Sequence, residues 1–376
     1  MRVLHICNDF AGSKVHKKLY EELDSLGVEQ TVFTYVKDSK KVNVNRFRGE
    51  NTRFCYSVSL KSCHRLLYGR KVRDVFSALE SSVNLEEYDV VHATTLFSDG
   101  AIANLVHRKY GIPYICAVRS TDVFVFLKWA PHTWRRGRRI AQEASRLVFI
   151  TENIKSRFES YYSTRRWKPV ESGKKLIQPN GVDAFWLDNK FEEIHTVDNS
   201  LLFVGELIRR KHALQLCQAV LELAPVIPGI HLTIVGGPGQ EGKKITEIAD
   251  GHPDVIRYLG LIKDKNQLLE LYRTHSVFVL PSERETFGLV YVEALTQSLP
   301  IIYSEKDGVD GLFPDEVGVG IDPRSVESIK TGIRSLLDHY PSLPVATLIG
   351  YDRFDWGRIA KRYFSYYEEM IGENKV

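Results

Sequence analysis

The chain has 376 residues, of which 43% are hydrophobic and 11% aromatic, and its formal net charge is +4. This length favours two domains, and the composition excludes a mostly disordered chain. The five cysteines are scattered and form neither a C-x-x-C pair nor a Cys/His cluster, which indicates free thiols rather than disulfides or a zinc site. No apolar run reaches the ~18 residues that span a bilayer, so we expect a soluble or membrane-peripheral protein.

The charge is divided unevenly along the chain. Residues 1–180 carry 31 Lys and Arg against 18 Asp and Glu, whereas the remainder carries 20 against 29. A basic first half indicates that this half faces an anionic partner, such as a phospholipid surface, a phosphorylated lipid or a nucleic acid. The nucleic acid is the least favoured of these, because no RNA-binding fingerprint is present.

The first half alternates apolar runs with helical patterns. Its N-terminal run, MRVLHIC, is expected to be a first strand rather than a signal peptide, because the sequence turns polar directly after it. Further strands are predicted at 31–35, 90–93, 114–118, 146–150 and 176–177, with helices at 14–26 and 98–110. This alternation predicts a doubly wound parallel sheet.

Residues 41–75 interrupt the alternation. From residue 60 to residue 76 the apolar side chains recur at helical spacing with a basic opposite face, and a second basic cluster follows Trp129 and Trp134. Basic amphipathic helices with aromatic residues lie on anionic membranes, and an ordinary solvated helix is the alternative. The candidates for an acceptor or membrane face are Arg65, Arg70, Lys71 and Arg119.

The stretch 276–303 predicts a strand, a loop, a helix and a second strand. Residues 277–280 form a short apolar run, and Gly288 precedes a helical pattern that ends before the next run. The loop therefore lies at the carboxyl end of a strand, where open parallel sheets bind ligands. The amides of Phe287, Gly288 and Leu289 at the start of the helix predict an anion site, above all for phosphate.

Two carboxylates, Glu285 and Glu293, belong to the string P-S-x-x-E-x-F-G-x-x-x-x-E-A-L. Carboxylates accept hydrogen bonds from sugar and ribose hydroxyls. The string resembles the E-x(7)-E signature of the family 4 retaining glycosyltransferases. This resemblance implies that Glu293 binds the nucleotide ribose and that Glu285 lies beside the donor sugar. It also implies an α/β fold of the GT-B type, with two Rossmann-like doubly wound domains, an interdomain cleft and a C-terminal helix that crosses back to the first domain.

Residues 205–211 resemble the family segment G-R-L-x-x-x-K-G. Lys211 matches the lysine that grips the donor diphosphate, whereas Glu206 stands where the family has an arginine. The resemblance thus leaves Arg209 or Arg210 to supply the missing charge. Further donor contacts are expected at Gly205, Gly236, Leu259 and, in the first half of the chain, Gly12.

Residues 116–122 end a predicted strand and resemble the family's H-G-x-D segment. Asp122 matches the acid and is expected to orient an acceptor hydroxyl or to hold the donor sugar. Arg119 stands in place of the histidine, so no catalytic histidine is carried over. It is expected to meet an acceptor phosphate or to pair with Asp122, and a purely structural pair is the alternative.

The turn P-N-G-V-D at 179–183 resembles the family's exit from its first domain. The expected domains are an acceptor-binding domain over 1–185, joined by the helical segment 354–376, and a nucleotide-sugar-binding domain over 199–353. A polar linker is expected at 184–198.

The resemblance implies transfer of a sugar, with retention, from a UDP- or GDP-sugar to a sugar or lipid-linked acceptor in polysaccharide or glycolipid synthesis. No pair of aspartates has the spacing of a metal-binding D-x-D, and cationic side chains would do that work, so we expect neither a metal ion nor a cofactor. The basic charge of the first half indicates a cytoplasmic location, on the inner face of the membrane. Two alternatives remain open: a nucleotide-sugar epimerase on the same fold, and a non-catalytic nucleotide-binding partner.

Overall fold

The computed structural model describes residues 1–374, apart from the side chain of Arg65. The chain forms two compact units. The first takes Met1–Gly181 and resumes at Asp352, and the second takes Val182–Tyr351. Residues 184–198, expected as a linker, lie in the second unit and begin with a short helix.

The first unit is built on a seven-stranded sheet whose strands pair in parallel. Its strands are β1 (Arg2–Ile6), β2 (Glu29–Tyr35), β3 (Thr52–Ser57), β4 (Val90–Ala93), β5 (Tyr114–Val118), β6 (Arg146–Phe149) and β7 (Lys175–Ile177). They lie in the order β3-β2-β1-β4-β5-β6-β7, so the direction of winding reverses between β1 and β4. The apolar runs predicted to be strands are largely buried, as expected where helices cover both faces of a parallel sheet, whereas residues 176–177 of β7 are half-buried.

The connection from β2 to β3 contains the 3₁₀ turn Ser39–Lys41, and the other connections of this sheet are α-helical. They comprise α1 (Lys14–Ser25), α2 (Tyr68–Ser82), α3 (Asp99–Tyr110), α4 (Leu127–Trp129), α5 (Trp134–Glu143) and α6 (Glu152–Thr164). Ser13 caps α1 through its hydroxyl, which accepts a hydrogen bond from the amide of Val15 at 3.3 Å. A π-helical turn at Asp122–Phe126 runs directly into α4.

The region 41–75 differs from the sequence-based expectation. It contains β3, which was not predicted, and its helix begins at Tyr68 rather than near residue 60. β3 lies at the edge of the sheet beside β2, and most of its side chains are half-buried. An edge strand of this kind needs no continuous apolar run, so the interleaved arginine and aromatic residues concealed it.

The second unit contains a six-stranded parallel sheet in the order β10-β9-β8-β11-β12-β13. Its strands are β8 (Ser200–Val204), β9 (His231–Val235), β10 (Ile256–Tyr258), β11 (Val277–Leu280), β12 (Ile301–Ser304) and β13 (Gly318–Ile321). Its helices are α7 (Ala184–Asp188), α8 (Ala213–Leu223), α9 (Gly242–Gly251), α10 (Lys265–Thr274), α11 (Leu289–Thr296) and α12 (Val326–Asp338). The winding reverses between β8 and β11, which are neighbours in the sheet.

The last helix, α13 (Trp356–Asn374), follows the second unit in sequence but packs in the first. It lies against α1 and joins a core cluster with β1 and β4 residues. The hydroxyl of Tyr367 lies 2.8 Å from Nδ1 of His92, and a Cβ on Gly181 would lie 2.4 Å from the Trp356 ring. The predicted return of the C-terminal helix to the first domain is confirmed.

Within residues 1–374, the helices are all too short or too polar to traverse a lipid bilayer.

Candidate active site

The loops that are expected from the sequence to bind the donor lie together at the carboxyl edge of the second sheet. In a doubly wound sheet, two neighbouring strands whose connections leave in opposite directions open a crevice between their carboxyl ends. β8 and β11 are such a pair. The loop after β8 contains the 3₁₀ turn Arg209–Lys211, and the loop after β11 contains Glu285. Ligand binding at this edge is therefore the expectation for the fold.

Lys211 and Glu285 meet across this crevice. The ammonium of Lys211 donates a hydrogen bond to Oε2 of Glu285, and both side chains are almost buried, 11% and 14% exposed. The hydroxyl of Ser282 donates to the same oxygen at 3.0 Å, and the Arg210 guanidinium lies 3.5 Å from it. The two residues, 74 positions apart in the sequence, thus form one charged cluster with two cations around one carboxylate.

This cluster keeps Glu285 ionised. Burial alone raises the pKa of a carboxyl group, but the nearby charges of Lys211 and Arg210 and the hydrogen bonds from Lys211 and Ser282 outweigh it, so the pKa of Glu285 is lowered. An ammonium group has three donors, and this bond uses one of them. The same lysine therefore has the capacity to hold Glu285 and an anionic ligand together.

Glycines surround Glu285 and shape the start of α11. Gly288 is the N-cap of α11 with φ +76°, a left-handed conformation that favours glycine. A Cβ on Gly288 would lie 3.2 Å from Cγ of Glu285, and a Cβ on Gly308 would lie 3.2 Å from its Cβ. The hydroxyl of Tyr291 donates to the carbonyl of Leu280 at 2.6 Å, which ties the first turn of α11 to the end of β11. The helix N-terminus is thereby fixed beside the Glu285 loop.

Phe287 and Leu289 flank this cap. Phe287 is buried, and Leu289 is the half-buried first residue of α11. Backbone amides in the first turn of a helix lack intrahelical partners, and the helix dipole adds a positive potential there. The position suits a phosphate group.

Glu293 lies in α11 in a different environment from Glu285. The hydroxyl of Tyr272 donates to its carboxylate at 3.3 Å. Burial, together with the charge of Asp183, raises the pKa of Glu293 to about 7, while Tyr272 and Lys265 act in the opposite direction. The two carboxylates of the E-x(7)-E string thus differ in ionisation: Glu285 is held charged and Glu293 titrates near neutrality.

The remaining predicted donor residues lie at the same sheet edge. Glu206 is exposed, and of the two arginines considered as substitutes for the family arginine, Arg210 reaches Glu285 while Arg209 is exposed on the same turn. The amide of Gly236 donates to the carbonyl of Gly260 at 2.8 Å. A Cβ on Gly236 would lie 1.8 Å from the carbonyl oxygen of Gly205, so the β8 and β9 loops touch through backbone. Leu259, at the end of β10, donates its amide to Ile234 at 2.9 Å.

In the first unit, Asp122 forms its hydrogen bonds with backbone amides of the protein itself. It is buried, and its two oxygens accept hydrogen bonds from the amides of Leu96, Phe97 and Arg119 at 2.9–3.0 Å. Burial raises the pKa of Asp122, and these amides oppose the rise. Asp122 thereby ties the loop after β4 to the loop after β5, and its contact with an acceptor or donor hydroxyl stays a prediction.

A second buried carboxylate, Asp99, was missed by the sequence analysis. It accepts hydrogen bonds from the hydroxyls of Tyr35, Thr94 and Thr95 and from the amide of Asn8, and so links the carboxyl ends of β1, β2 and β4. Burial raises its pKa to about 6. The only sequence signal was its place at the start of a predicted helix after a strand, which suggests an N-terminal acid and nothing more.

Among the other first-unit candidates, Arg119 and Lys71 form hydrogen bonds with the loops, whereas Arg70 is exposed. Arg119 points into the loops, where its side chain donates to the carbonyl of Thr94 at 3.2 Å and to Asn180 at 3.3 Å, and Lys71 donates to the hydroxyl of Ser98 at 3.0 Å. Gly12 closes a turn, its amide donating to Asp9 at 2.9 Å. Arg70 is exposed and lies 3.8 Å from Asp74. The prediction for the side chain of Arg65 lies outside the described residues.

Two Rossmann-like units, each with a parallel sheet whose winding reverses, have the architecture of the GT-B fold. Residues 185–345 match the family described as Glycosyl transferases group 1, and residues 12–170 match the Glycosyl transferase 4-like domain. Together these matches cover most of both units. The chain belongs to the family 4 type of glycosyltransferases, as its E-x(7)-E string indicated.

Two relatives and one solved structure resemble the chain over most of its length. An uncharacterised glycosyltransferase of Methanocaldococcus jannaschii is 23% identical over 77% of this chain and 78% of its own length. A D-inositol 3-phosphate glycosyltransferase of Mycolicibacterium smegmatis is 25% identical over 77% of this chain and 69% of its own. The structure of HepE from Anabaena in complex with UDP superposes with a TM-score of 0.72 at 16% identity, covering 98% of this chain and all of that one.

Proposed function

We propose that this glycosyltransferase moves a sugar, with retention of anomeric configuration and without a metal ion, from a nucleotide-diphosphate donor to a hydroxyl group of a sugar or lipid-linked acceptor. The observation that carries the proposal is the cluster of Lys211, Arg210 and Glu285 beside the N-terminus of α11. The UDP held by the structurally similar HepE supports a uridine diphosphate donor.

The cluster fits the charge changes of this reaction. Negative charge grows on the leaving diphosphate as the glycosidic bond breaks, and preorganised cations and amides stabilise it. This assignment of Lys211, Arg210 and the first-turn amides of α11 is supported by their common location at the β8/β11 crevice. Their positive charge is also the reason that a divalent metal is not required in the proposal.

Glu285 is assigned to the donor sugar. An ionised carboxylate accepts hydrogen bonds from sugar hydroxyls and stabilises the positive charge of an oxocarbenium-like transition state. In the proposed course, the acceptor attacks the face from which the diphosphate departs, and a phosphate oxygen takes the acceptor proton. Glu285 then remains a carboxylate throughout, which agrees with the direction of its pKa shift.

The first unit is assigned to the acceptor, at the cytoplasmic face of a membrane. It carries the basic excess of the chain, and Arg119 and Lys71 point into the loops at the carboxyl ends of its central strands. Two cations beside these loops suit an acceptor that carries a phosphate, as lipid-linked sugars of surface polysaccharide synthesis do.

A donor screen followed by a transfer assay tests the proposal. The full-length protein is melted with a panel of UDP- and GDP-sugars, because a ligand that binds only the folded state raises the melting temperature. The best donor is then incubated with candidate acceptors in buffer containing EDTA, and the anomeric configuration of the product is read by NMR. Retained configuration and activity in EDTA are expected, and loss of turnover in Glu285→Ala.

Three results would contradict the proposal. Conversion of the donor to an epimer without an acceptor would favour an isomerase. Donor binding with neither transfer nor hydrolysis across the acceptor panel would favour a non-catalytic partner. A product with inverted anomeric configuration, or activity restored only by a divalent cation, would contradict the proposed mechanism but not the family membership.

A further inference from the structure

Two segments of the first unit, 58–73 and 123–139, carry large apolar side chains at the surface. The exposed fractions are 84% for Leu66, 48% for Leu67 and 54% for Val58 in the first segment, and 71% for Trp129 and 49% for Val125 in the second. Single exposed apolar residues are ordinary, whereas a group on adjoining segments marks an interaction surface. We call these two segments the basic apolar face.

The two segments are in contact with each other. The rings of Tyr68 and Phe126 are 6.2 Å apart, and the Arg136 guanidinium lies 5.3 Å from the Tyr68 ring. The hydroxyl of Tyr68 donates to the carbonyl of Phe97 at 2.7 Å, and Phe97 stacks on Phe126 at 4.8 Å. The two segments therefore adjoin through the buried ring of Phe97 and the half-buried rings of Tyr68 and Phe126.

The charge of the basic apolar face is of one sign. Residues 51–73 and 123–142 contain no Asp or Glu in the sequence. Helix α5 buries Gly137, Ile140 and Ala141 and exposes its arginines on the opposite side: Arg135, Arg136, Arg138 and Arg139. Asp74 is the acid at the border of the first segment, where it offsets Lys61 at 3.6 Å and Arg70 at 3.8 Å. The α5 arginines and Lys128 thus provide most of the positive potential.

We propose that the basic apolar face docks on an anionic phospholipid bilayer. Two different forces act together at such a surface: arginine and lysine side chains are attracted to anionic headgroups, and apolar side chains enter the interface. Trp129 is suited to the interface because an indole has an apolar body and a polar edge, and Lys128 lies 5.1 Å from its ring. A purely electrostatic partner, such as RNA, would not account for Leu66 and Leu67.

Vesicle co-sedimentation of the full-length protein tests the proposal. One set of vesicles contains phosphatidylcholine alone, and the other contains phosphatidylcholine mixed with phosphatidylglycerol. We expect binding to the mixed vesicles that weakens with salt, and little binding to the neutral ones. Tryptophan emission should shift to shorter wavelength on the mixed vesicles, and Trp129→Phe should lose this shift while it still sediments.

Two groups of variants separate the forces. Replacing Arg135, Arg138 and Arg139 by Gln should weaken binding about a hundredfold, since one basic residue near an anionic surface contributes about fivefold. The control Lys243→Gln/Lys244→Gln removes two exposed charges from the second unit and should bind as wild type. Leu66→Ser/Trp129→Ser should weaken binding at least about tenfold. Its control is Val226→Ser/Leu261→Ser, which changes two side chains of the second unit that are 60% and 61% exposed.

Thermal melts equal to wild type establish that each variant is folded. No binding of the wild type to mixed vesicles would overturn the proposal. Equal binding by the variants of the basic apolar face and by their controls would also overturn it. Binding that depends on the arginines but not on Leu66 and Trp129, with the same dependence seen on heparin, would assign the face to anionic polymers and also overturn it. Because donor and acceptor are absent from the assay, its outcome is independent of the proposed reaction.

Discussion

Lys211 and Glu285 contribute to the stability of the fold and, in the proposed function, to the reaction. Both are nearly buried, so removal of one leaves the charge of the other without its main partner. The loss of one member of a buried pair costs about 3–5 kcal/mol in favourable cases. Their location at the switch point of the sheet gives the same pair its proposed role toward a diphosphate and a sugar.

A double-mutant cycle separates these two roles. Lys211→Ala is expected to lower the transfer rate about 10²–10³-fold, the effect of removing one preorganised donor, and also to lower the melting temperature. Adding Glu285→Gln should recover much of the melting temperature, because the buried charge is gone, but none of the activity. Lys243→Ala, at a side chain 91% exposed, serves as the control. A double variant with restored turnover would contradict the assignment.

We predict that donor affinity depends on pH through Glu293. Its pKa is raised to about 7, chiefly by burial, so the carboxylate form that we expect to bind the ribose declines as the pH falls through neutrality. We expect the donor to bind about tenfold more weakly at about pH 6 than at about pH 8, as one ionisation predicts. Titration calorimetry at both values measures this, with a UDP-sugar as the ligand because its diphosphate does not titrate between them. Glu293→Gln should bind weakly and without the pH dependence; a persistent dependence would assign it to another group.

At the scale of residues, the sequence predicted those candidate site residues that belong to a local sequence motif. Glu285, Glu293 and Lys211 were predicted from motifs, and the structure brings two of the three into contact. Asp99 and Asp122 could not be assigned in the same way. Their partners are hydroxyls and amides up to 91 positions away, and a sequence pattern does not reveal which backbone amides will converge on a buried carboxylate.

At the scale of elements, the edge of the second sheet depends on close backbone contacts. Gly205, Gly236 and Gly260 bring the ends of β8, β9 and β10 together. The hydroxyl of Tyr258 also donates to the carbonyl of Gly236 at 3.0 Å. These contacts set the positions of three loops at once, including the one that carries Lys211.

Adjacent glycines in the β9 loop provide a matched test. Gly236→Ala is expected to reduce the free energy of unfolding by about 1–3 kcal/mol, since its Cβ would overlap the Gly205 carbonyl. Gly237→Ala should be nearly neutral, because nothing lies within 4 Å of its added Cβ. Urea denaturation of both variants gives the comparison. Equal stability would show that the β8 and β9 loops separate without cost.

Strands and helices with strong periodicity were predicted well, and the exceptions have physical reasons. Central strands such as β4, β5 and β11 are buried on both faces and therefore read as apolar runs. β3 does not form an apolar run, because the side chains of an edge strand are partly exposed. The short helix α7 also lies in a stretch whose polar composition indicated a linker.

At the scale of the whole molecule, the first unit is completed by residues from both ends of the chain. His92 of β4 contacts Tyr367 of α13, 275 positions later. His5 and His16 lie in the same region, and burial lowers the pKa of all three histidines, that of His92 to about 3. The folded state therefore keeps these histidines neutral at pH values where the unfolded chain protonates them.

This difference predicts acid sensitivity. The unfolded His92 takes up a proton near pH 6.5 and the folded one near pH 3, so its contribution to stability is complete above pH 6.5 and is lost as the pH falls toward 3. At about pH 5 the loss is about 2 kcal/mol for such a histidine. Thermal melts at about pH 7 and pH 5 should show it, and His92→Gln should reduce the difference. An unchanged melting temperature would contradict the prediction.

The packing of α13 into the first unit has a consequence for synthesis on the ribosome. The complete second unit, residues 182–351, must be translated between Gly181 and the helix that covers Tyr20, Leu23 and His92. At ordinary elongation rates this interval lasts roughly ten to thirty seconds, during which the nascent first unit presents an uncovered apolar surface. A stop codon shortly before α13 would therefore damage the earliest part of the product, even though it removes only the latest.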